Sequence, residues 1–306
     1  MARYVFRRLL WMPLVLWILV TLSFFMMRAA PGGPFSAERN LPPEIEANLR
    51  AKYDLDKPLW RQYINYLGDL CRLDLGPSYK HKTRTVNEII AQHLPASILL
   101  GVVSVLLALV LGLGAGIVAG VRRNSIFDYA SMTVAMVGLA VPTFVIGPLF
   151  VLVFSLYLNW FPVTGWDSFP RDLILPSITL SLPFAARVAR LTRAGMLEVI
   201  HMDYIRTARA KGLRESVVVV RHALKGAMLP VVSFLGPAMA QVLTGSLVVE
   251  KIFGVPGIGR EFVESAFNRD YTLVSGTVIL YGALLIGFNL VVDILYGFLD
   301  PRIRYS

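Results

Sequence analysis

The sequence has little of what soluble enzymes usually contain. Charged residues make up 16% of its 306 residues, whereas soluble domains carry roughly 25%. A single cysteine, Cys71, excludes an intrachain disulfide. The four histidines lack metal-ligand spacing, and neither an HExxH nor a GxSxG motif occurs. These absences argue against a metalloprotease or a serine hydrolase, including one that works inside a membrane.

A phosphate-binding loop is also absent. No glycine-lysine dipeptide occurs anywhere in the chain, so it has no P-loop that could hold nucleotide phosphates. If the protein takes part in an ATP-driven process, the ATPase must be a separate polypeptide. We therefore expect no catalytic residue, no metal ligand and no cofactor-binding residue in this chain.

Long apolar runs are what the sequence does have. Hydrophobic residues make up 56% of the chain, and its mean hydropathy is +0.61. Because about 20 consecutive apolar residues cross a bilayer as a helix, the composition predicts an all-α, polytopic membrane protein. Six candidate runs lie at residues 9–27, 97–121, 129–158, 173–188, 227–249 and 274–298.

Two of these runs have features that need interpretation. The first follows three arginines, as a signal peptide would, but its apolar part is longer than a typical signal core and ends in Met26-Met27-Arg28. We interpret it as an uncleaved span, with a signal peptide as the alternative. The fourth run is short and contains Pro176 and Pro183. Spanning helices tolerate proline where neighbouring helices satisfy the freed backbone groups.

The net charge of +10 is concentrated on one predicted side of the membrane. With the N-terminus inside, the cytoplasmic pieces hold 16 basic and five acidic residues, and the outer pieces hold 14 of each. An excess of lysine and arginine marks cytoplasmic loops, so both termini are predicted to be cytoplasmic. The excess charge then needs no nucleic-acid partner.

The runs divide the chain into four parts. These are the first spanning helix (1–28), an extracytoplasmic helical insert (29–93), a five-helix core (94–298) that includes a cytoplasmic loop (190–226), and a cytoplasmic tail (299–306). Within the insert, helices are predicted to begin near residue 41, after Pro58 and at Thr85, with a turn at 73–78. The insert is either a cap over the bundle or a docking surface for an external partner.

The loop at 190–226 is the most informative segment. Neither proline nor glycine occurs from Glu198 to Lys211, and Gly212 is well placed to end a helix there. The predicted helix has an apolar stripe whose side chains decrease in size, formed by Met202, Ile205, Ala208 and Gly212. A separate charged face is formed by Asp203, Arg206 and Arg209. We predict that the stripe inserts into a groove of a partner protein. A helix lying on anionic lipid is the alternative.

A second loop, at residues 251–271, contains the glycine-rich sequence FGVPGIG. Because it is only moderately polar, it could return towards the bundle and shape its outer mouth. A plain surface loop is the alternative.

The segment 203–230, DYIRTARAKGLRESVVVVRHALKGAMLP, resembles the cytoplasmic loop of ABC-importer permeases. Arg206-Thr207-Ala208 stands where that family has Glu-Ala-Ala, and Gly212 stands at its glycine. The form of this segment is typical of bacterial oligopeptide and dipeptide permeases. The resemblance extends over the whole chain, through the sequences DLGPS (74–78), PGIG (256–259), NRDY (268–271) and DPRIRY (300–305).

The resemblance implies a fold, a function and a set of partners. The fold would be a type I ABC-importer permease with six transmembrane helices, in the bacterial inner membrane. The chain would form half of the pathway of an ATP-driven peptide importer. Its partners would be a second homologous permease subunit, two ATPase subunits that bind ATP and Mg²⁺, an extracytoplasmic peptide-binding protein, the peptide and membrane lipid, with no nucleic acid.

The resemblance also implies which residues act, although it assigns none to the substrate. The ATPase-coupling helix would consist of Asp203, Tyr204, Ile205, Arg206, Thr207, Ala208, Arg209, Ala210 and Lys211, with Gly212 as its end. The extracytoplasmic gate loop would contain Pro256, Gly257 and Gly259.

An ion-driven secondary transporter is the alternative function. Such carriers generally need ionisable groups near the middle of the membrane. The only carboxylate clearly inside a run is Asp293, close to the predicted cytoplasmic end of the last span and one turn after Asn289. That position favours a structural role for Asp293.

Overall fold

The computed structural model describes residues 2–29, 55–81, 83–243 and 247–299, and all regular elements in these ranges are helices. An isolated antiparallel bridge joins Pro77 and Thr85. The helices are α1 (Ala2–Ala29), α2 (Leu59–Cys71), α3 (Val86–Val121), α4 (Ile126–Ala140), α5 (Thr143–Tyr157, π-helical from Val151), α6 (Arg171–Val199), α7 (Asp203–Ala210), α8 (Glu215–Ala227, π-helical over Val218–Ala223), α9 (Leu229–Leu243), α10 (Leu247–Phe253), α11 (Ile258–Asn268) and α12 (Tyr271–Leu299).

The helices account for six membrane spans. Four are long and apolar enough to cross alone: Leu9–Ala29, Val86–Val121, Arg171–Val199 and Tyr271–Ile294. Two further spans are bent pairs, α4 with α5 and α8 with α9, whose axes turn by 102° and 59°. The predicted all-α, six-span architecture is confirmed.

The second span begins outside the apolar run because its start is capped. The side chain of Thr85 accepts a hydrogen bond from the backbone of Glu88, and the carboxylate of Glu88 accepts one from the backbone of Thr85. This capping box stabilises the first turn. The 36 residues of α3 extend about 54 Å at 1.5 Å per residue, well beyond a hydrocarbon core of about 30 Å. The predicted helix at Thr85 is confirmed.

The described part of the insert packs on the end of α1. The rings of Tyr63 and Tyr66 on α2 lie 5.3 and 5.6 Å from the ring of Phe24. Arg28 donates a hydrogen bond of 2.8 Å to the side chain of Gln62. The helix predicted after Pro58 is confirmed as α2, whereas the helix predicted near residue 41 lies outside the described residues.

α3 and α6 run parallel at very close range. Glycines on α3 at intervals of four residues face side chains on α6 at the same intervals: Gly112 faces Val188, Gly116 faces Thr192 and Gly120 faces Met196. A Cβ atom at these glycines would lie 2.5–2.7 Å from the facing residues, so only glycine permits the approach. Because the helices are parallel, α7, which follows α6, lies at the end of the bundle opposite the insert.

Two of the predicted runs differ from the helices that form. The run at 129–158 is broken after Ala140, because Pro142 has no N–H and disfavours a helical Val141. The fourth run is much longer than predicted, since α6 extends from Arg171 to Val199 and includes both of its prolines. The segment without proline and glycine, Glu198 to Lys211, contains the end of α6, a break at 200–202 and α7.

Candidate functional site

The predicted coupling segment forms the short helix α7, Asp203–Ala210, with Met202 at its N-cap and Lys211 at its C-cap. Gly212 follows with a φ of +73°, a conformation that favours glycine. Its N–H donates a 2.9 Å hydrogen bond to the carbonyl of Arg209. The prediction that Gly212 ends this helix is confirmed.

The apolar side of α7 faces its own chain. Ile205 is fully buried and Ala208 is 6% exposed. They belong to one core cluster with residues of α6 and α8, namely Met196, Val199, Val218, Val219, Ala223 and Ala227. The prediction that the stripe inserts into a groove of a partner is therefore wrong for Ile205 and Ala208. α8 supplies the groove within this chain, and burying Ile205 there removes apolar surface from water.

The outer side of α7 is polar. Its exposed residues, with those at its ends, are Met202, Asp203, Tyr204, Arg206, Thr207, Arg209, Ala210, Lys211 and Gly212. Arg209 forms a bidentate pair with Glu215, at 2.6 and 3.1 Å. This hydrogen bonding raises the pKa of Arg209 above its ordinary value. Arg206 lies 3.6 Å from Asp203. Both guanidiniums of the predicted charged face thus lie within ion-pair distance of an acid of this chain.

This packing connects α7 mechanically to α6 and α8. Its buried side contacts both α6 and α8 through a close-packed cluster, and such interiors transmit displacement with little compression. A partner that moves the exposed side of α7 would therefore move α6 and α8 together.

The predicted gate loop packs onto the bundle. α10 ends at Phe253, and Gly254 turns the chain with a φ of +70°. Val255 and Ile258 are both fully buried. The carbonyl of Pro256 lies 3.1 Å from Nδ1 of His93, near the start of α3. Of the two interpretations of this loop, the packing favours the one that returns to the bundle.

A buried carboxylate, Glu250, holds this loop in place. Ser97 donates a 2.8 Å hydrogen bond to Oε1, and the N–H of Arg260 donates one of 3.1 Å to Oε2. The hydroxyl of Ser97 in turn accepts from the N–H of Ile258. A Cβ atom at Gly257 would overlap the carboxylate of Glu250, so a larger residue there must displace this carboxylate.

Sequence reasoning missed Glu250, which directly follows the predicted span at 227–249. The signal available was its position just before a glycine-rich apolar loop. The main-chain N–H groups of such a loop need acceptors once they are buried.

Sequence reasoning also assigned no role to two buried aspartates, Asp270 and Asp128. Asp270, 1% exposed, accepts hydrogen bonds from the side chain of Ser78 and from the backbone of Tyr79. It thereby joins the sequences DLGPS and NRDY at the start of α12. Asp128, also 1% exposed, accepts two hydrogen bonds from Arg193, of 2.6 and 2.8 Å, which tie α4 to α6 at the α7 end.

The described residues contain no group of three or more His, Cys, Asp or Glu side chains that could hold a metal ion.

Asn289, near Asp293 on α12, lies close to α9, since a Cβ atom at Gly236 would be 2.9 Å from its Oδ1.

Comparisons with known proteins agree along the whole chain. Residues 112–305 match the family described as "Binding-protein-dependent transport system inner membrane component". Residues 1–101 match its companion, "Binding-prot-dependent transport system membrane comp, N-term".

Several curated relatives match from end to end. The chain is 48% identical over 306 residues to the oligopeptide transport system permease protein OppB of Haemophilus influenzae, and 50% identical to that of Salmonella typhimurium, with all of each chain covered. It is 42% identical over 304 residues to the dipeptide transport system permease protein DppB of Bacillus subtilis, covering 99% of this chain and 98% of that one.

Among solved structures, the MetNI methionine ABC transporter in an inward-facing conformation matches with a TM-score of 0.57 at 16% identity. The match covers 69% of this chain and 96% of that one, and it shows a shared fold. Family, relatives and six-span fold agree, and the chain therefore belongs to the inner-membrane permease components of binding-protein-dependent ABC transport systems.

Proposed function

We propose that this chain is the transmembrane subunit of an ATP-driven peptide importer and forms half of its translocation pathway. The observation that carries the proposal is full-length identity of 48–50% to oligopeptide permeases. The dipeptide permease of Bacillus subtilis is less similar, at 42%. This difference favours oligopeptides as the cargo.

The proposed importer contains a second homologous permease subunit, two ATPase subunits that bind ATP and Mg²⁺, and an extracytoplasmic peptide-binding protein. The family description, which names binding-protein-dependent transport, supports the last of these. The absence of a P-loop in this chain supports separate ATPases, and the permease itself hydrolyses no ATP.

The proposed orientation places both termini and α7 in the cytoplasm and the insert outside. The excess of basic residues on the α7 side supports this orientation. The parallel packing of α3 and α6 supports it too, because it separates α7 from the insert by the length of the bundle.

In this proposal, α7 is the ATPase-coupling helix. Its exposed residues, Tyr204, Arg206, Thr207, Ala210 and Lys211, contact the ATPase, while Ile205 and Ala208 anchor the helix to α6 and α8. At the other end, Pro256, Gly257 and Gly259 shape the outer gate, held by Glu250.

Co-purification and reconstitution test the function. The chain is extracted in mild detergent and its bound proteins are identified. The complex is then placed in vesicles, and ATP hydrolysis is measured with and without peptide-loaded binding protein. We expect ATPase subunits to remain bound and hydrolysis to rise with loaded binding protein.

Collapsing the proton gradient while the ATP concentration is held constant distinguishes this function from ion-driven transport. Peptide uptake should continue after the collapse. Uphill accumulation by the purified chain alone, with no ATPase present, would contradict the proposal.

A further inference from the structure

A cavity of about 390 Å³ opens among four helices of the spanning bundle. It is lined by Thr143 of α5, Leu180, Pro183, Phe184 and Arg187 of α6, Gln241 of α9, and Leu247 and Val248 of α10. Arg187 lies about 24 Å along α6 from Arg171 and about 18 Å from Val199, at 1.5 Å per residue. The cavity therefore lies along the central part of α6, away from α7.

The bend of one span lies at this cavity. Thr143 is the first residue of α5, directly after the 102° bend. Gln241 of α9 and Leu247 of α10 line another part of the cavity. Backbone that leaves the helical path at membrane depth is tolerated where it is buried in protein or lines a water-filled cavity. Interrupted helices of this kind form substrate sites in other membrane transporters.

Arg187, which the charge count assigned to the cytoplasmic side, lies within the helix that forms the span. Its side chain is exposed, and its guanidinium carbon lies 5.3 Å from the centre of the Phe234 ring. Among the described residues, no carboxylate lies within ion-pair distance of it. Arg193, six residues later on α6, is by contrast paired with Asp128. A charged side chain inside a membrane is costly and typically marks a functional pathway.

The charge and the hydrogen-bonding groups of the cavity indicate which chemical group of a transported peptide it could bind. Its described lining carries a cation in Arg187 and no acidic side chain. Arginine binds a carboxylate through two parallel hydrogen bonds. Thr143 and Gln241 add a hydroxyl and an amide, which suit the main chain of a peptide, and the other lining residues are apolar. An anionic group followed by peptide bonds matches this set.

We propose that Arg187 binds the C-terminal carboxylate of the transported peptide while it crosses the membrane. This inference rests on the proposed peptide-import function and adds a contact inside the permease to whatever selection the binding protein makes. It predicts that the translocation step, and not only capture outside, distinguishes a free C-terminus from a blocked one.

The test uses the whole importer in vesicles, with one peptide in two forms, the free acid and the C-terminal amide. Saturating binding protein loaded with either form removes differences in capture. Initial uptake per complex is measured for the wild type, Arg187→Gln, Arg187→Lys and Arg190→Gln. Arg190 is a matched control, because it is exposed on the same helix but does not line the cavity.

For Arg187→Gln we expect uptake of the free acid to fall about tenfold, the lower end of what losing a charge-assisted hydrogen bond implies. Uptake of the amide should change less than twofold. Arg187→Lys, which keeps the charge but not the bidentate geometry, should lose less. Arg190→Gln should behave as the wild type with both peptides.

The proposal would be overturned if Arg187→Gln lowered uptake of the acid and of the amide by the same factor, or lowered neither. Failure of Arg187→Gln to retain the second permease subunit would overturn it too, because Arg187 would then be an interface residue. If the wild-type complex imports neither form with ATP, the peptide-import function itself is refuted. If the wild type imports both forms and Arg187→Gln has the same acid-to-amide uptake ratio as the wild type, only the role of Arg187 is refuted.

Discussion

Replacing Gly116 with alanine should separate α3 from α6. The added Cβ atom would lie 2.5 Å from Cβ of Thr192 and 2.6 Å from the carbonyl oxygen of Ala189. Carbon atoms normally rest about 3.5–4.0 Å apart, so the helices must move apart by about 1 Å at this level. Overpacking of this kind costs about 1–3 kcal/mol. Gly112 and Gly120, one turn away on each side, would lose contact as well.

Gly114 supplies the matched control for this change. It lies on the same helix, is exposed, and a Cβ atom there would meet nothing within 4 Å. Alanine in place of a helical glycine stabilises by about 0.5–1 kcal/mol in both variants. The difference between Gly114→Ala and Gly116→Ala therefore isolates the clash, at about 1–3 kcal/mol.

Thermal denaturation of the purified complex in detergent measures this difference as a shift in Tm. We expect Gly116→Ala to melt several degrees below Gly114→Ala. Adding Thr192→Gly should recover part of the loss, because it removes the two Thr192 side-chain atoms that are among the nearest three, while the Ala189 carbonyl remains. Equal Tm values for the two alanine variants would refute the close-packing explanation.

Three further changes test the contacts described above. Ile205→Ala should leave a void under α7 and destabilise its packing by about 2–5 kcal/mol, so that peptide-stimulated ATP hydrolysis falls while the ATPase subunits are still expressed. Gly257→Ala should displace the carboxylate of Glu250 and free the outer loop, which increased proteolysis between α10 and α11 would detect. Asp128→Asn should weaken the bond to Arg193, which is itself 30% exposed, by about 1–3 kcal/mol, lowering Tm.

Two of these changes have a control on the same chain. Thr207→Ala, on the exposed side of α7, should leave Tm unchanged where Ile205→Ala lowers it. Gly68→Ala, with open space around it, should not affect proteolysis of the outer loop. A normal coupled ATPase in Ile205→Ala, an intact loop in Gly257→Ala, or an unchanged Tm in Asp128→Asn would contradict the corresponding contact.

The sequence by itself determined the features that arise from local chemistry. Apolar runs are long enough to identify six spans, because a helix in lipid must satisfy its own backbone over about 20 residues. The helix start at Thr85 and the helix end at Gly212 were predictable, because both depend on backbone groups a few residues away. The resemblance of the 203–230 segment to permease loops identified the family, which the full-length relatives confirm.

The tertiary structure decided what covers each face and which distant residues meet. Periodicity placed Ile205 and Ala208 on one side of α7, but only the fold shows that α8 of the same chain covers that side. The acceptor role of Glu250 depends on Ser97, 153 residues away in sequence, and the junction of Ser78 with Asp270 spans 192 residues. No local pattern encodes such separations, because they follow from how the spans pack against one another.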